Sequence, residues 1–358
     1  MAPLDKALVI SGMRTGIGRE LALAAIGRGY TVIGCSSSAR DAVRSDAALA
    51  KALDDRTLHY LSVDVAGLGQ IAGVAARYKE LTGRTPAAQL DVIANAGIAR
   101  WGDPGKPEDY EDMQRMWAVN VDGTRHLADA MQPHLSAAGR ANFVAMSSIV
   151  AARGQAIGGN DRYMASKHAV QYYATGTLVH DPRFEGINTF AVAPGVVPTP
   201  MIMDELLLPM IFRVALVQAR DDAAFAETLA KFVPDGQSAD AATLAANTPA
   251  DNVRVLFADL LASNPKLARL EGALDDDLEL TRRALASFMR NARRPGPMRK
   301  RILAIVYALD LAVTPEVVAT RILDQLDPDA GRPPLKKRLL EVYSKGGGDP
   351  ILKLMRAL

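Results

Sequence analysis

A tyrosine and a lysine four residues apart could carry out proton transfer in this chain of 358 residues. Tyr163 and Lys167 would lie on one face of a helix, where residues four apart are neighbours. A lysine ammonium beside a phenol favours the phenolate and lowers a pKa that is ordinarily about 10. The pair therefore predicts a general acid or base at Tyr163. By itself the spacing is weak evidence, because such pairs also occur on exposed helix faces.

A glycine-rich segment near the N-terminus has the residues for binding phosphate. Gly12, Gly16 and Gly18 lie between a predicted strand and a predicted helix. Glycines in such a turn let backbone amides approach a diphosphate at the helix N-terminus. The segment predicts a dinucleotide site, and an ordinary tight turn is the alternative.

The elements that must position these residues follow an α/β pattern. Apolar runs predict strands at 7–11, 31–35, 58–63, 90–94, 141–147 and 187–192, with a further candidate at 339–343. Segments of helical period lie at 16–28, 41–53, 67–81, 107–135 and 163–180, and a last one at 317–326 follows a Thr314 cap and Pro315. The alternation predicts a doubly wound parallel sheet of about seven strands, the Rossmann fold.

The strand pattern stops after Pro200, and about a hundred residues have the pattern of successive helices. We expect residues 1–202 and 310–350 to form one dinucleotide-binding and catalytic domain, and residues 203–309 to form a helical insertion. The strongly apolar segment 201–212 is suited to cover a bulky substrate. A helix packed into a subsidiary core and contact with a membrane surface or a partner are the alternatives.

Composition excludes several classes of protein. With 42 Lys and Arg against 40 Asp and Glu, the net charge of +2 argues against nucleic acid as a partner. The single cysteine, Cys35, excludes an intramolecular disulfide and fits a reducing cytoplasm. The five histidines lack metal-ligand spacing, so we expect no metal site. No uninterrupted apolar run is long enough to span a membrane, which predicts a soluble cytoplasmic protein.

The glycine spacing resembles that of the short-chain dehydrogenase/reductase family, whose signature is Thr-Gly-x-x-x-Gly-x-Gly, with Ser11 in place of the threonine. Further family motifs follow in the expected order: Asp64-Val65, Asn95-Ala96-Gly97, Asn120, Ser147-Ser148, Tyr163-x-x-x-Lys167 and Pro194-Gly195. Each stands at the end of a predicted strand or on the expected helix. The order of these motifs is far more specific than any one of them.

The resemblance implies a catalytic set of Asn120, Ser148, Tyr163 and Lys167. Tyr163 would be the acid or base, and Ser148 would donate a hydrogen bond to the substrate oxygen. Lys167 would also bind the nicotinamide ribose, and Asn120 would hold a water that links this lysine to solvent. Of the two adjacent serines we favour Ser148, and we expect Ser147 to satisfy backbone groups at the strand end.

The resemblance also implies a cofactor path. Its residues are Ser11, Gly12, Arg14, Thr15, Gly16, Ile17, Gly18, Ser36, Ser37, Arg40, Asp64, Val65, Asn95, Ala96, Gly97, Tyr163, Lys167, Pro194, Gly195, Val197 and Thr199. Within it, Asp64 would accept a hydrogen bond from the adenine amino group and Val65 would supply a backbone partner. Val197 and Thr199 would contact the nicotinamide carboxamide.

The end of the second strand determines the choice of cofactor. An acidic residue there would bind the adenosine ribose of NAD and repel a 2′-phosphate. The segment 34–40 contains no acid, whereas Ser36, Ser37 and Arg40 could contact a phosphate, and Arg14 could add charge from the glycine turn. We therefore expect NADP (NADPH) rather than NAD.

Together these observations predict an NADP(H)-dependent oxidoreductase, a ketoreductase or alcohol dehydrogenase. Its substrate would be the ketone or secondary alcohol of a sizeable, mostly apolar small molecule. An NAD-dependent alcohol dehydrogenase is one alternative, and a non-catalytic nucleotide-binding regulatory or scaffold protein is another. The resemblance further implies a homodimer or homotetramer.

Overall fold

Seven parallel strands form one sheet, which confirms the doubly wound α/β architecture. The computed structural model describes residues 4–99, 107–152, 161–195, 197, 199, 201, 313–327, 329, 331, 335 and 338–342. All of these except Met201 belong to one compact unit.

The strands are short and mostly buried, as expected for a sheet covered on both faces. In chain order they are β1 (Lys6–Ser11), β2 (Thr31–Ser36), β3 (Leu58–Ser62), β4 (Gln89–Ala94), β5 (Arg140–Met146), β6 (Asn188–Pro194) and β7 (Leu339–Val342). Their order across the sheet is β3-β2-β1-β4-β5-β6-β7. The six strands predicted from apolar runs and the candidate at 339–343 all appear, displaced by at most two residues at an end.

The helices cover both faces of this sheet. They are α1 (Gly16–Gly27), α2 (Arg40–Arg44), α3 (Ala47–Asp54), α4 (Leu68–Thr82), α5 (Pro107–Trp117), α6 (Gly123–Ala137), α7 (Ile149–Ala152), α8 (Asp161–Tyr172) and α9 (Pro315–Leu326). Buried residues of α4, α6 and α8 pack in one core, and those of α1, α3 and α9 pack in the other. Thr314 caps α9, since its hydroxyl accepts from Val317 N, and Pro315 occupies the first turn as predicted.

Three predicted helices are divided in ways that their apolar spacing does not indicate. The segment 41–53 forms two helices, because Asp46 accepts hydrogen bonds from Ala48 N and Leu49 N and so begins α3. A π-helical turn at Ala118–Asp122 separates α5 from α6, and another at Tyr173–Thr177 follows α8. Such turns often occur at functional sites.

The strand order fixes where a ligand can bind. The chain forms β1, β2 and β3 outward in one direction and then returns to place β4 on the other side of β1. The chain therefore reverses direction between β1 and β4, and the crevice at the carboxyl ends of these two strands is the usual binding place in this architecture.

Residues 203–309, predicted as a helical insertion, lie outside the described residues. Among the described helices, none is long and apolar enough to cross a membrane. The described residues contain no group of three His, Cys, Asp or Glu that could hold a metal ion.

Candidate active site

The turn after β1 depends on three glycines. Gly12 and Gly16 have φ angles of +68° and +57°, in the left-handed region that favours glycine. A Cβ on Gly12 would lie 2.7 Å from Ala96 Cα, and one on Gly18 would lie 2.2 Å from Gly12 O. The backbone of the glycine turn therefore packs directly against the backbone of the loop after β4. Side chains at these glycines would prevent this contact.

A serine and an asparagine hold these two loops together. Ser11 Oγ accepts hydrogen bonds from Asn95 N and Ala96 N, both 3.1 Å away. Asn95 Nδ2 donates to Ser11 O at 3.1 Å and to Gly12 O at 3.0 Å. A hydroxyl and an amide thus fix the crevice floor.

α1 begins at Gly16, directly after the glycine turn. Thr15 is the N-cap residue, but its side chain makes no capping hydrogen bond to the described residues, and the first turn holds no acid. Arg14 and Thr15 are exposed, while Ile17 is half-buried. By contrast, Asp46 caps α3. Uncapped amides at a helix N-terminus suit an anion.

At the end of β2, the predicted phosphate contacts differ in their surroundings. Ser36 Oγ lies 2.7 Å from the hydroxyl of Tyr60, whereas Ser37 and Arg40 are exposed. Burial raises the pKa of Tyr60, and the positive charge of Arg14 opposes that rise. The charge of Arg14 therefore affects Tyr60, whose hydroxyl is hydrogen-bonded to Ser36 at the end of β2.

The charge of Arg40 affects the pKa of His59 on β3, the strand at the edge of the sheet. Burial lowers the pKa of His59 on β3, and the charges of Arg77 and Arg40 lower it further. The charges of Arg40 and Arg14 thus lower the pKa of two neighbouring residues of β3, His59 and Tyr60.

Asp64, which follows β3, is held by an arginine that the sequence motifs do not indicate. Its carboxylate accepts from Arg115 Nη2 at 2.8 Å and from Ala66 N at 3.1 Å. Burial raises the pKa of Asp64, but these hydrogen bonds outweigh burial and the net shift is downward. Val65 is buried, and its carbonyl oxygen lies 3.0 Å from His126 Nδ1.

Tyr163 and Ser148 meet at the carboxyl end of β5. The two side chains are hydrogen-bonded to each other, and both are half-buried. Burial raises the pKa of Tyr163 to about 12, and the bond to Ser148 opposes the rise. Neighbouring Ser147 is turned away, with its Oγ 3.0 Å from Lys167 O and 3.2 Å from Gln171 Oε1. This is the backbone role expected for Ser147.

Lys167 is buried beside the ring of Tyr163. It is only 4% exposed, its Nζ donates to Met146 O at 2.9 Å, and it lies 5.8 Å from the centre of the Tyr163 ring. Burial lowers the pKa of Lys167 to about 8. Burial thus shifts both pKa values, raising that of Tyr163 and lowering that of Lys167, and the lowering of the Tyr163 pKa by the lysine stays a prediction.

Asn120 is fully buried in the first π-helical turn. Its Oδ1 accepts from Ile98 N at 2.8 Å, and its Nδ2 donates to Ile98 O at 3.0 Å and to Ser166 Oγ at 2.9 Å. Ser166 also donates to Tyr163 O at 2.7 Å. Sequence reasoning missed Ser166, whose only signal was its place directly before Lys167.

Gly97 is the point at which this set converges. A Cβ on Gly97 would lie 2.9 Å from Lys167 Nζ and 3.3 Å from Asn120 Oδ1. The loop after β4 thus touches both the lysine and the asparagine, and the Asn95-Ala96-Gly97 motif serves the glycine turn at one end and Lys167 at the other.

The segment after β6 borders the same crevice. Gly195 N donates to Val342 O at 2.9 Å, which joins the Pro194-Gly195 turn to β7. Val197 is buried, and a Cβ on Gly16 would lie 2.9 Å from Thr199 Cγ2. Thr199 therefore lies against the glycine turn.

Comparison with known proteins agrees with this arrangement. A sequence model of the family described as short chain dehydrogenase matches residues 6–206. The chain is similar to the trihydroxynaphthalene reductase of Colletotrichum orbiculare, with 30% identity over 210 residues, which are 56% of this chain and 68% of the relative.

Two solved structures share the fold. One is the 3-ketoacyl-(acyl-carrier-protein) reductase of Brucella melitensis, complexed with NADH, with a TM-score of 0.55, 13% identity and coverage of 96% of this chain and 98% of that one. The other is an alcohol dehydrogenase of the archaeon Thermococcus sibiricus, complexed with 5-hydroxy-NADP, with a TM-score of 0.54, 16% identity and coverage of 95% and 97%.

Proposed function

The chain belongs to the short-chain dehydrogenase family, and from this premise we propose that it is an NADP(H)-dependent oxidoreductase that reduces a ketone or oxidises a secondary alcohol. The observation that carries the proposal is the hydrogen bond between Tyr163 and Ser148, with Lys167 and Asn120 converging on Gly97 nearby. A protein that only senses or carries a nucleotide has no need of this acid and hydroxyl pair.

The residues of the crevice fit a dinucleotide. The glycine turn has no room for side chains, and the α1 amides lack a capping side chain among the described residues. The diphosphate would lie on these amides, and Asp64 would receive the adenine amino group. Asn95, Gly97, Val197 and Thr199 would line the path toward the nicotinamide.

The charges at the end of β2 favour NADP over NAD. The charges of Arg14 and Arg40 act on Tyr60 and His59 of the neighbouring strand, and Arg14, Ser37 and Arg40 are exposed. Guanidinium groups form strong charge-assisted hydrogen bonds with phosphate. The relatives' folds accept both kinds of cofactor, since the Brucella structure holds NADH and the Thermococcus structure an NADP derivative.

In the reduction, Tyr163 would act as the acid. With its pKa raised to about 12 by burial, the phenol keeps its proton at neutral pH and can donate it to a carbonyl oxygen that gains charge. Ser148 would donate a second hydrogen bond to that oxygen. Lys167, cationic below its pKa of about 8, would stabilise the phenolate that remains. The nicotinamide supplies the hydride when it is bound.

We propose a sizeable, mostly apolar substrate. The supporting features are the apolar segment 201–212, most of which lies outside the described residues, and the aromatic substrate named for the Colletotrichum relative. In this proposal residues 1–202 and 310–350 form the catalytic domain, residues 203–309 form a substrate lid, and the enzyme acts as a homodimer or homotetramer in the cytoplasm.

The direct test measures NADPH oxidation with a panel of aliphatic, cyclic and aromatic ketones. We expect turnover with at least one bulky ketone and faster turnover with NADPH than with NADH. Tyr163→Phe should lose this turnover, and Tyr172→Phe is its matched control, because Tyr172 lies on the same helix as Tyr163 and is 71% exposed. Oxidation that is equally fast without any ketone, or tighter binding of NADH than of NADPH, would contradict the proposal.

A further inference from the structure

A tyrosine outside the family motifs is hydrogen-bonded to the turn at the end of β2. Tyr60 lies on β3 opposite Gly34, two residues before that end, and its ring is buried. Its hydroxyl reaches along the sheet to lie 2.7 Å from Ser36 Oγ and 2.6 Å from Ser38 O. A third oxygen, Ser36 O, is 3.1 Å away.

These contacts form a closed circuit of hydrogen bonds. Ser38 N donates to Ser36 Oγ at 3.4 Å, and the phenol donates to Ser38 O. The phenol has one proton, so the Ser36 hydroxyl supplies its own proton to the phenol oxygen. Each of the two hydroxyls thus donates once and accepts once, and together they fix the backbone from 36 to 38.

The circuit determines which groups of the turn remain free for a ligand. The Ser36 hydroxyl faces inward to Tyr60, while the side chains of Ser37 and Arg40 are exposed. The charge of Arg14 acts on the same phenol from the glycine turn. The exposed Ser37 therefore lies on backbone that a buried phenol holds in place, and the exposed Arg40 follows it in the chain.

We propose that Tyr60 is a specificity-determining positioning residue, whose hydroxyl holds residues 36–38 in the shape that presents Ser37, Arg40 and Arg14 to a phosphate ester on the adenosine ribose. This inference rests on the proposed use of NADP(H). Tyr60 touches no part of the ligand in this account. It acts through the turn, and it favours a nucleotide that carries a 2′-phosphate over one that does not.

Tyr60→Phe tests the proposal, because it removes one oxygen and keeps the buried ring. The binding of NADPH and NADH is measured separately by titration calorimetry on the full chain. We expect NADPH to bind about three- to tenfold more weakly, as for one lost net hydrogen bond, and NADH to change by less than about twofold. Equal weakening of both nucleotides, or no weakening of NADPH, would overturn the proposal.

Tyr78→Phe is the matched control. Tyr78 is equally buried on α4, and its hydroxyl accepts from Ala87 N at 3.3 Å, outside the turn. Its removal should lower stability without changing the ratio of the two dissociation constants. A changed ratio in this control would show that general loosening alters selectivity and would also overturn the proposal.

A second variant keeps the test decisive if Tyr60→Phe does not fold. Ser36→Ala opens the same circuit from the other side, and it should reduce the preference for NADPH in the same direction. An unchanged ratio of NADPH to NADH affinity in Ser36→Ala would refute the role of the circuit. If the wild-type chain binds neither nucleotide, the proposed function itself fails, which is a different result from a wild type that binds NADPH and a Tyr60→Phe variant with unaltered selectivity.

Discussion

Replacing Gly97 by alanine should reduce catalysis far more than stability. The φ angle of Gly97 is not positive, so alanine can adopt this backbone, but its Cβ would lie 2.9 Å from Lys167 Nζ and 3.3 Å from Asn120 Oδ1. Carbon and nitrogen atoms in ordinary contact are about 3.5 Å apart or more. Nζ must therefore move by about half an ångström or more, which stretches its 2.9 Å bond to Met146 O.

The magnitude follows from how the displaced atom is attached. Nζ ends a flexible side chain, so the crowding should cost less than the ~1–3 kcal/mol of overpacking in a rigid core. Alanine also restricts the unfolded chain more than glycine does, which stabilises the folded state by about 0.4–1 kcal/mol. The free energy of unfolding should change by about 1 kcal/mol or less. A misplacement of about 1 Å near the chemistry can cost about 100-fold, so we expect kcat to fall about 10- to 100-fold at saturating cofactor and substrate.

The assay pairs steady-state kinetics with urea unfolding of the same preparations. Gly73→Ala is the matched control, because the added methyl would meet only Leu61 Cδ2 at 4.0 Å. This variant on α4 should gain about 0.5–1 kcal/mol of stability and keep its kcat. A Gly97→Ala enzyme with wild-type kcat, or an equal loss of kcat in Gly73→Ala, would contradict the prediction that a Cβ at residue 97 lowers kcat by displacing Lys167 Nζ.

Two further predictions concern buried titratable groups. Lys167→Met should inactivate the enzyme yet stabilise it at pH 7 by about 1–3 kcal/mol, because burial lowers the pKa of Lys167 to about 8 and the folded protein bears the cost of a buried cation. The pKa of Lys167 is lower in the folded than in the unfolded protein, so wild-type stability rises between about pH 8 and pH 10.5. The difference in unfolding free energy between Lys167→Met and wild type, measured by urea unfolding, should therefore shrink over this range. A variant less stable than wild type at pH 7 would contradict this prediction. Cys35 is fully buried and burial raises its pKa to about 12, so a disulfide reagent that reports on thiols should label it only upon unfolding, and complete labelling within seconds in native buffer would show that the β2 core opens freely.

The sheet could be predicted from the sequence because burial on both faces makes each strand a short apolar run. β4, for example, is buried at every position, and the turn residues that follow it are Asn95-Ala96-Gly97. The glycine turn was equally evident, since the positive φ angles of Gly12 and Gly16 leave glycine as the residue that fits there without strain.

Other features of the site depend on contacts between residues far apart in the chain. Lys167 binds Met146 O, and Asp64 binds Arg115, and neither partner is marked by spacing or composition. Tyr60 has the pattern of an ordinary core residue on a strand. Alternation along a strand predicts that its ring is buried but does not predict the hydrogen-bond partners of its hydroxyl.

The π-helical turn that holds Asn120 was also not predictable from apolar spacing. Apolar residues recur through 107–135 at helical intervals, which predicts one continuous helix. The turn forms where the Asn120 side chain binds both backbone groups of Ile98 and the hydroxyl of Ser166. These three bonds are tertiary, and they become visible only when β4, α6 and α8 are assembled.

Isotope transfer tests whether Tyr163 protonates a carbonyl while NADPH donates a hydride to its carbon. Enzyme, NADPH with deuterium at both hydrogen positions of the nicotinamide C4 and a bulky ketone are mixed, and the alcohol is analysed by mass spectrometry for wild type and Tyr163→Phe. We expect one deuterium per alcohol with wild type. Tyr163→Phe should lose turnover while its NADPH affinity stays within about tenfold of wild type, since the mutated hydroxyl contributes at most about one net hydrogen bond. Deuterated alcohol formed by Tyr163→Phe at the wild-type rate would contradict this expectation.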